Sequence, residues 1–216
     1  MRCVRRRMPH LVLLGDSIFD NAAYVGGGPD VVRQVRAALP EGWRVTLGAV
    51  DGATTRGVAA QLERMPRDAT HIVFSVGGND ALSASSLLYA PAGNVADALR
   101  LLAAAQDGFE ESYNEMLARV LAVGLPTAVC TIYDTPASSP DQRIVKAALA
   151  LFNDRIMRAA FAHGLPLIDL RLICSDDEDY ANPIEPSVQG GEKIARAIAA
   201  LAAAAEADWR RALVVS

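Results

Sequence analysis

Three short stretches combine residue types that can stabilise a developing negative charge. Gly15-Asp16-Ser17 puts a hydroxyl in a turn whose outward backbone N–H groups favour anions, and Gly15 permits the tight turn that exposes it. Gly52, inside Ala49-Val50-Asp51-Gly52-Ala53-Thr54-Thr55, can present an unobstructed backbone N–H. Gly77-Gly78-Asn79-Asp80 lets the backbone approach a ligand and adds the Asn79 carboxamide. A neutral amide suits an oxyanion because it stabilises O⁻ without first binding a proton. Taken singly, each stretch serves equally well as structure: a capping serine, a turn glycine, an Asn-Asp turn. Their order adds weight, because each directly follows an apolar run that reads as a strand.

Those runs lie at 10–15, 43–49 and 70–76, with two more at 126–132 and 165–170. They are almost continuously apolar, as parallel strands covered on both faces must be. Helical periodicity separates them. Phe109, Tyr113, Met116, Leu117 and Val120 share one helical face, as do Val145, Phe152, Ile156 and Ala159 in a helix over about 140–162. Ile194, Ile198 and Leu201 mark a last helix over about 188–206, and another begins near Asp30. The alternation predicts an α/β fold of three layers, α/β/α, around a five-stranded parallel, flavodoxin-like doubly wound sheet. Ligands bind beyond the carboxyl ends of the strands in such sheets, where the three stretches fall. Residues 80–95 and the acidic run 175–179 are expected as loops. The expected division is a basic, disordered lead over 1–9, one domain over 10–206 and a tail over 207–216, with Met8 an alternative start to Met1.

The succession Gly15-Asp16-Ser17, Gly52, Gly77-Gly78-Asn79-Asp80 resembles the motif blocks of the SGNH (GDSL-type) hydrolase family, and Gly-Asp-Ser-Ile-Phe-Asp-Asn looks like a bacterial subgroup of it. The resemblance spans roughly residues 10 to 200. It implies a nucleophilic Ser17 and an oxyanion hole made by the Ser17 N–H, the Gly52 N–H and the Asn79 side chain, with Asp16, Gly78 and Asp80 in support. The family's fourth block is Asp-x-x-His followed by Pro-Ser. Here Asn182-Pro183-Ile184-Glu185-Pro186-Ser187 stands in its place, so Glu185 falls at the histidine and Asn182 at the aspartate. A serine hydroxyl is a poor nucleophile until a base takes its proton. A solvated glutamate, near 4.3, is a weak base, and burial raises it towards neutrality. Asn182 is expected to orient Glu185 by a hydrogen bond free of like-charge repulsion.

Other chemistries fit less well. The net charge of −4 supplies no basic field for nucleic acid. The basic cluster Arg2, Arg5, Arg6 and Arg7 precedes an apolar run of only four residues, short of the roughly 7–15 a signal peptide needs. No stretch reaches the roughly 18–20 apolar residues of a membrane span, so a cytoplasmic location is expected. Cys3, Cys130 and Cys174 are odd in number and form no close pair, against disulfides or zinc. The acidic side chains of Asp176, Asp177, Glu178 and Asp179 are contiguous and do not converge on one point, so no metal is expected. His10 and His71 begin strands and His163 ends a helix, all structural positions. Gly26-Gly27-Gly28 lacks a following Lys-Ser/Thr and reads as a flexible cap, not a phosphate loop. Tyr133 and Tyr180 are candidates to line a pocket. The chain is therefore expected to be a serine ester hydrolase acting on a small-molecule ester, with no cofactor. A non-catalytic ester- or carbohydrate-binding protein on the same scaffold, or an acyltransferase, is the alternative.

Overall fold

The computed structural model describes residues 8–215, so the arginine cluster and Cys3 lie outside the described residues. Strands β1 (His10–Gly15), β2 (Arg44–Leu47), β3 (His71–Ser75), β4 (Thr127–Cys130) and β5 (Pro166–Ile168) pair in parallel in the order β2-β1-β3-β4-β5. A short antiparallel pair, β6 (Tyr180–Asn182) and β7 (Glu185–Pro186), stands apart from this sheet. The helices are α1 (Val31–Ala38), α2 (Val58–Glu63), α3 (Gly78–Ser83), α4 (Val95–Ala122), α5 (Gln142–Ala162), α6 (Leu170–Ile173) and α7 (Val188–Ala203).

The period-2 alternation of the strands divides the core into two layers. Leu11 and Leu13 of β1 face α1, α6 and α7, with Val31, Val35, Ile194 and Ile198 packed on them. Val12 and Leu14 face α2, α4 and α5, against Val58, Phe109, Tyr113 and Ile156. All six residues of β1 are buried because the strand is central and covered twice. This is the expected three-layer, doubly wound architecture.

Four boundaries differ from expectation. The sheet has a sixth strand, β8 (Leu213–Val215), paired in parallel with β5, so residues assigned to a tail belong to the core. A three-residue strand carries no periodicity of its own; pairing with β5 makes it one. Ahead of it Trp209 is 2 % exposed, with its ring 4.7 Å from that of His71. Residues 80–95 are largely helical, through α3, a 3-10 turn at Ser85–Tyr89 and the start of α4. The acidic run is exposed over residues 175–178, as expected of a solvated loop, but its end is ordered and buried. It closes in a 3-10 turn at Asp177–Asp179, where fully buried Asp179 accepts from the Asp176 N–H and from Lys193 Nζ at 2.7 Å. The hairpin of β6 and β7 comes next in the chain, and α7 packs on the turn so closely that a Cβ on Gly190 would lie 2.1 Å from the Asp179 carbonyl oxygen.

If residues 205–215 are structural, Trp209→Ala should cost about 3–5 kcal/mol in urea unfolding, the range for emptying a buried aromatic site. A loose tail would lose nothing.

Candidate active site

Ser17 stands immediately beyond the carboxyl end of β1 and is 6 % exposed. The turn that carries it requires glycine at position 15. Gly15 has φ +124°, and a Cβ there would lie 1.8 Å from the Ser75 carbonyl oxygen. That closeness lets the Asp16 N–H donate to Ser75 O across 3.1 Å. Gln61, buried in α2, grips the same glycine from both sides: its Oε1 accepts from the Gly15 N–H at 2.8 Å and its Nε2 donates to the Gly15 carbonyl at 2.7 Å. Nothing in the sequence around Gln61 marks this role. The Asp16 carboxyl turns inward and accepts from the Ile18 N–H at 3.2 Å.

The loops after β2 and β3 are tied to this turn and to each other. Gly52, exposed and at φ +76°, occupies a turn closed by the Ala53 N–H donating to Val50 O at 3.0 Å. Asp20 accepts from the Asp51 N–H at 3.0 Å, and Tyr24 Oη donates to Asp51 at 2.7 Å. Asn79, in the first turn of α3, donates one Nδ2 proton to Ala53 O at 3.0 Å, leaving its second for a ligand. Asp80 accepts from the Thr55 N–H at 3.1 Å and the Thr55 hydroxyl at 2.8 Å.

Glu185 comes to the same corner from β7. It is 4 % exposed and lines one cavity with Ser17, whose side chain lies near enough to its carboxyl to favour the ionised form. Its Oε2 is buried without a hydrogen-bond partner. Burial, helped by the charge of Asp51 and opposed by Ser17, pushes its pKa up to about 7. Burial also raises Asp16, to about 8, with the charges of Glu185 and Asp80 adding to it against the Ile18 hydrogen bond. Asn182 lies opposite Glu185 in the strand pair, yet its Oδ1 accepts from the Ile184 N–H at 2.9 Å. It therefore shapes the turn, and no hydrogen bond from it to the Glu185 carboxyl is present among the described residues. Tyr133, which the sequence offered only as a pocket-lining candidate, and Asn21 hold the backbone on either side of Glu185. Tyr133 Oη donates to Ile184 O at 2.9 Å, and Asn21 Nδ2 donates to Pro186 O at 3.1 Å. Asn21 closes the heptapeptide that begins at Gly15, and that position was its one sequence signal.

A cavity of about 370 Å³ opens beside these groups. Asp16, Ser17, Gly78, Asn79 and Glu185 line its polar end; Leu82, Leu87, Leu102, Ile132, Leu149 and Phe152 line the rest, between α4 and α5. Tyr133 lines it, while Tyr180, Gly52 and Asn182 do not. Its charged lining residues, Asp16, Asp134 and Glu185, are all acidic. The histidines are elsewhere. His10 bonds Asp68 at 3.0 Å and Thr46 at 2.8 Å, the His71 ring sits between those of Trp43 and Trp209, and His163 caps α5. Cys130 is buried, which pushes its thiol up and makes it inert. No group of three or more His, Cys, Asp or Glu able to hold a metal ion occurs among the described residues. Among them no helix is long and apolar enough to cross a membrane.

The chain and its fold have counterparts among known proteins. A model of the GDSL-like lipase/acylhydrolase family matches residues 13–193. No curated protein matches the chain. Solved structures share its fold: a lipase from a goat rumen metagenome (18 % identity, 92 % of this chain and 99 % of that one, TM-score 0.70) and an extracellular lipase from Streptomyces rimosus (19 %, 90 % and 99 %, 0.65). A phospholipase A1 from Streptomyces albidoflavus is similar to the same extent (16 %, 91 % and 100 %, 0.65).

The two buried carboxyls set a pH dependence of stability. Both bind protons more tightly folded than unfolded, where carboxyls ionise near about pH 4. The native state therefore carries more protons between about pH 4 and 8, and stability falls as pH rises through that window. Urea unfolding at about pH 5, 6.5 and 8 should show the decline, and Asp16→Asn should flatten it.

Proposed function

The chain belongs to the GDSL-like lipase/acylhydrolase family, and on that premise we propose that it is a serine ester hydrolase in which Glu185 serves as general base. The observation that carries this reading is the buried Glu185 carboxyl beside the Ser17 hydroxyl, at the polar end of an apolar cavity. Glu185 takes the Ser17 proton as Oγ attacks the ester carbonyl carbon. The resulting oxyanion is met by the Ser17 N–H and the free Nδ2 proton of Asn79, since the exposed Gly52 stands outside the cavity. Collapse of the intermediate breaks the bond to the alcohol oxygen, which receives the proton back from Glu185. Water, deprotonated by the same carboxylate, then attacks the acyl carbon; the bond to Ser17 Oγ breaks, Oγ takes the proton back from Glu185, and the acid is released. A carboxyl near 7 suits both halves of this cycle, since it is neither a spent base nor a permanent acid at neutral pH. No metal or organic cofactor enters any step.

The cavity favours an apolar acyl group. Its volume equals that of about a dozen water molecules in the liquid, and its aliphatic wall offers each buried methylene about 0.8 kcal/mol. On p-nitrophenyl esters kcat/KM should therefore rise from acetate to octanoate, by up to about fourfold per methylene.

A fluorophosphonate probe tests the nucleophile directly. Covalent labelling of Ser17, lost in Ser17→Ala together with esterase activity, is the expected result; an unlabelled protein would be a binding protein on this scaffold. Glu185→Gln should lower kcat by about 10²–10⁴-fold, the usual contribution of a general base. Because the base must be ionised, kcat/KM should increase with pH through about 7.

A further inference from the structure

A histidine base in a triad is aimed by an acidic partner that bonds its second ring nitrogen. A carboxyl base carries no N–H for such a partner, and Asn182 spends its Oδ1 on the Ile184 N–H. What aims Glu185 must therefore act on its backbone. We infer that Asn21 and Tyr133 are the positioning residues of the base, a clamp on the carbonyl groups of the residues before and after Glu185 and the counterpart of the absent triad acid.

Four observations carry this. The clamp brackets Glu185 along the chain, with Tyr133 Oη on Ile184 O and Asn21 Nδ2 on Pro186 O. β7 is only two residues long and pairs solely with β6, so the strand ladder alone cannot fix it. Both clamping side chains are themselves held. Asn21 is fully buried, with its Oδ1 accepting from the Val31 N–H at 2.9 Å, and the Tyr133 ring meets that of Tyr180 edge-on at 5.1 Å. Finally, Asn21 follows Ser17 by four residues in the same loop. A bond from that loop to Pro186 ties nucleophile and base into one unit, so the separation of Ser17 from Glu185 is set without any contact to the carboxyl itself. The Tyr133 hydroxyl does the same from the loop after β4.

The inference rests on Glu185 as the base, and the test separates the two. Tyr133→Phe removes one oxygen and keeps the ring; Asn21→Ser removes the second bond. Tyr180→Phe is the comparison, because it deletes a hydroxyl of the same kind that donates to Cys174 O at 2.8 Å. On a p-nitrophenyl ester, Tyr133→Phe and Asn21→Ser should each lower kcat by about ten- to hundredfold, the scale of a misplacement near 1 Å, with KM within about twofold. Tyr180→Phe should leave kcat within about twofold.

Independently of activity, the ¹³C-glutamate signal of Glu185 should titrate near 7 in the parent and move down towards the ordinary carboxylate range in the two clamp variants. A loosened strand admits water to the carboxyl while Asp16 and Asp51 beside it stay unchanged. An unmoved titration in both variants overturns the clamp, as does unchanged kcat in an active enzyme. A parent inactive on every ester, with its Glu185 titration still shifted by the variants, would instead overturn the hydrolase reading and leave the clamp standing.

Discussion

Glu185 is held out of water beside the Ser17 hydroxyl, with one carboxyl oxygen lacking any hydrogen-bond partner. Removing a carboxylate from water is costly, and the protein meets the cost by letting the group keep its proton to about pH 7. The same desolvation that destabilises the ionised form is what the proposed role of Glu185 as base draws on. Much of the surrounding architecture can be understood as keeping that one carboxyl dry and pointed at one oxygen atom.

The means are side chains bonded to backbone. Loops at a sheet edge have peptide groups that no ladder satisfies, and here buried or half-buried side chains take them up. Gln61 holds Gly15, Asn79 holds Ala53, Asp80 holds Thr55, Asp20 holds Asp51, and Asn21 and Tyr133 hold the residues flanking Glu185. Each such bond contributes only about 0.5–1.5 kcal/mol to stability. Their larger effect is preorganisation, because donors fixed before the reaction need not reorganise when charge develops. The arrangement is also reciprocal: Asn79, a candidate oxyanion donor, is itself the latch on the loop that carries Gly52.

Asp16 and Glu185 share this buried corner, and the charge of Glu185 adds to the burial that raises Asp16. Asp134 also lines the cavity, paired with Lys146 at 2.7 Å, so the polar end carries little net charge at neutral pH and the aliphatic wall is the main source of binding.

Much of the scaffold was legible from local patterns. The strands β1 to β5 announced themselves as apolar runs, and the turns after β1 to β3 carried glycine where the backbone needs it, since periodicity and turn chemistry depend on near neighbours in the chain. Ser17, Asn79 and Glu185 do line one cavity. What remained hidden depended on distant partners. Asn21 meets Pro186 across 165 positions and Gln61 meets Gly15 across 46, distances at which sequence patterns carry no signal. The strand β8 exists only because β5 offers it an edge, and the basicity of Glu185 exists only because the fold buries it. Local order thus determined which groups could react, and long-range burial decided which proton could move.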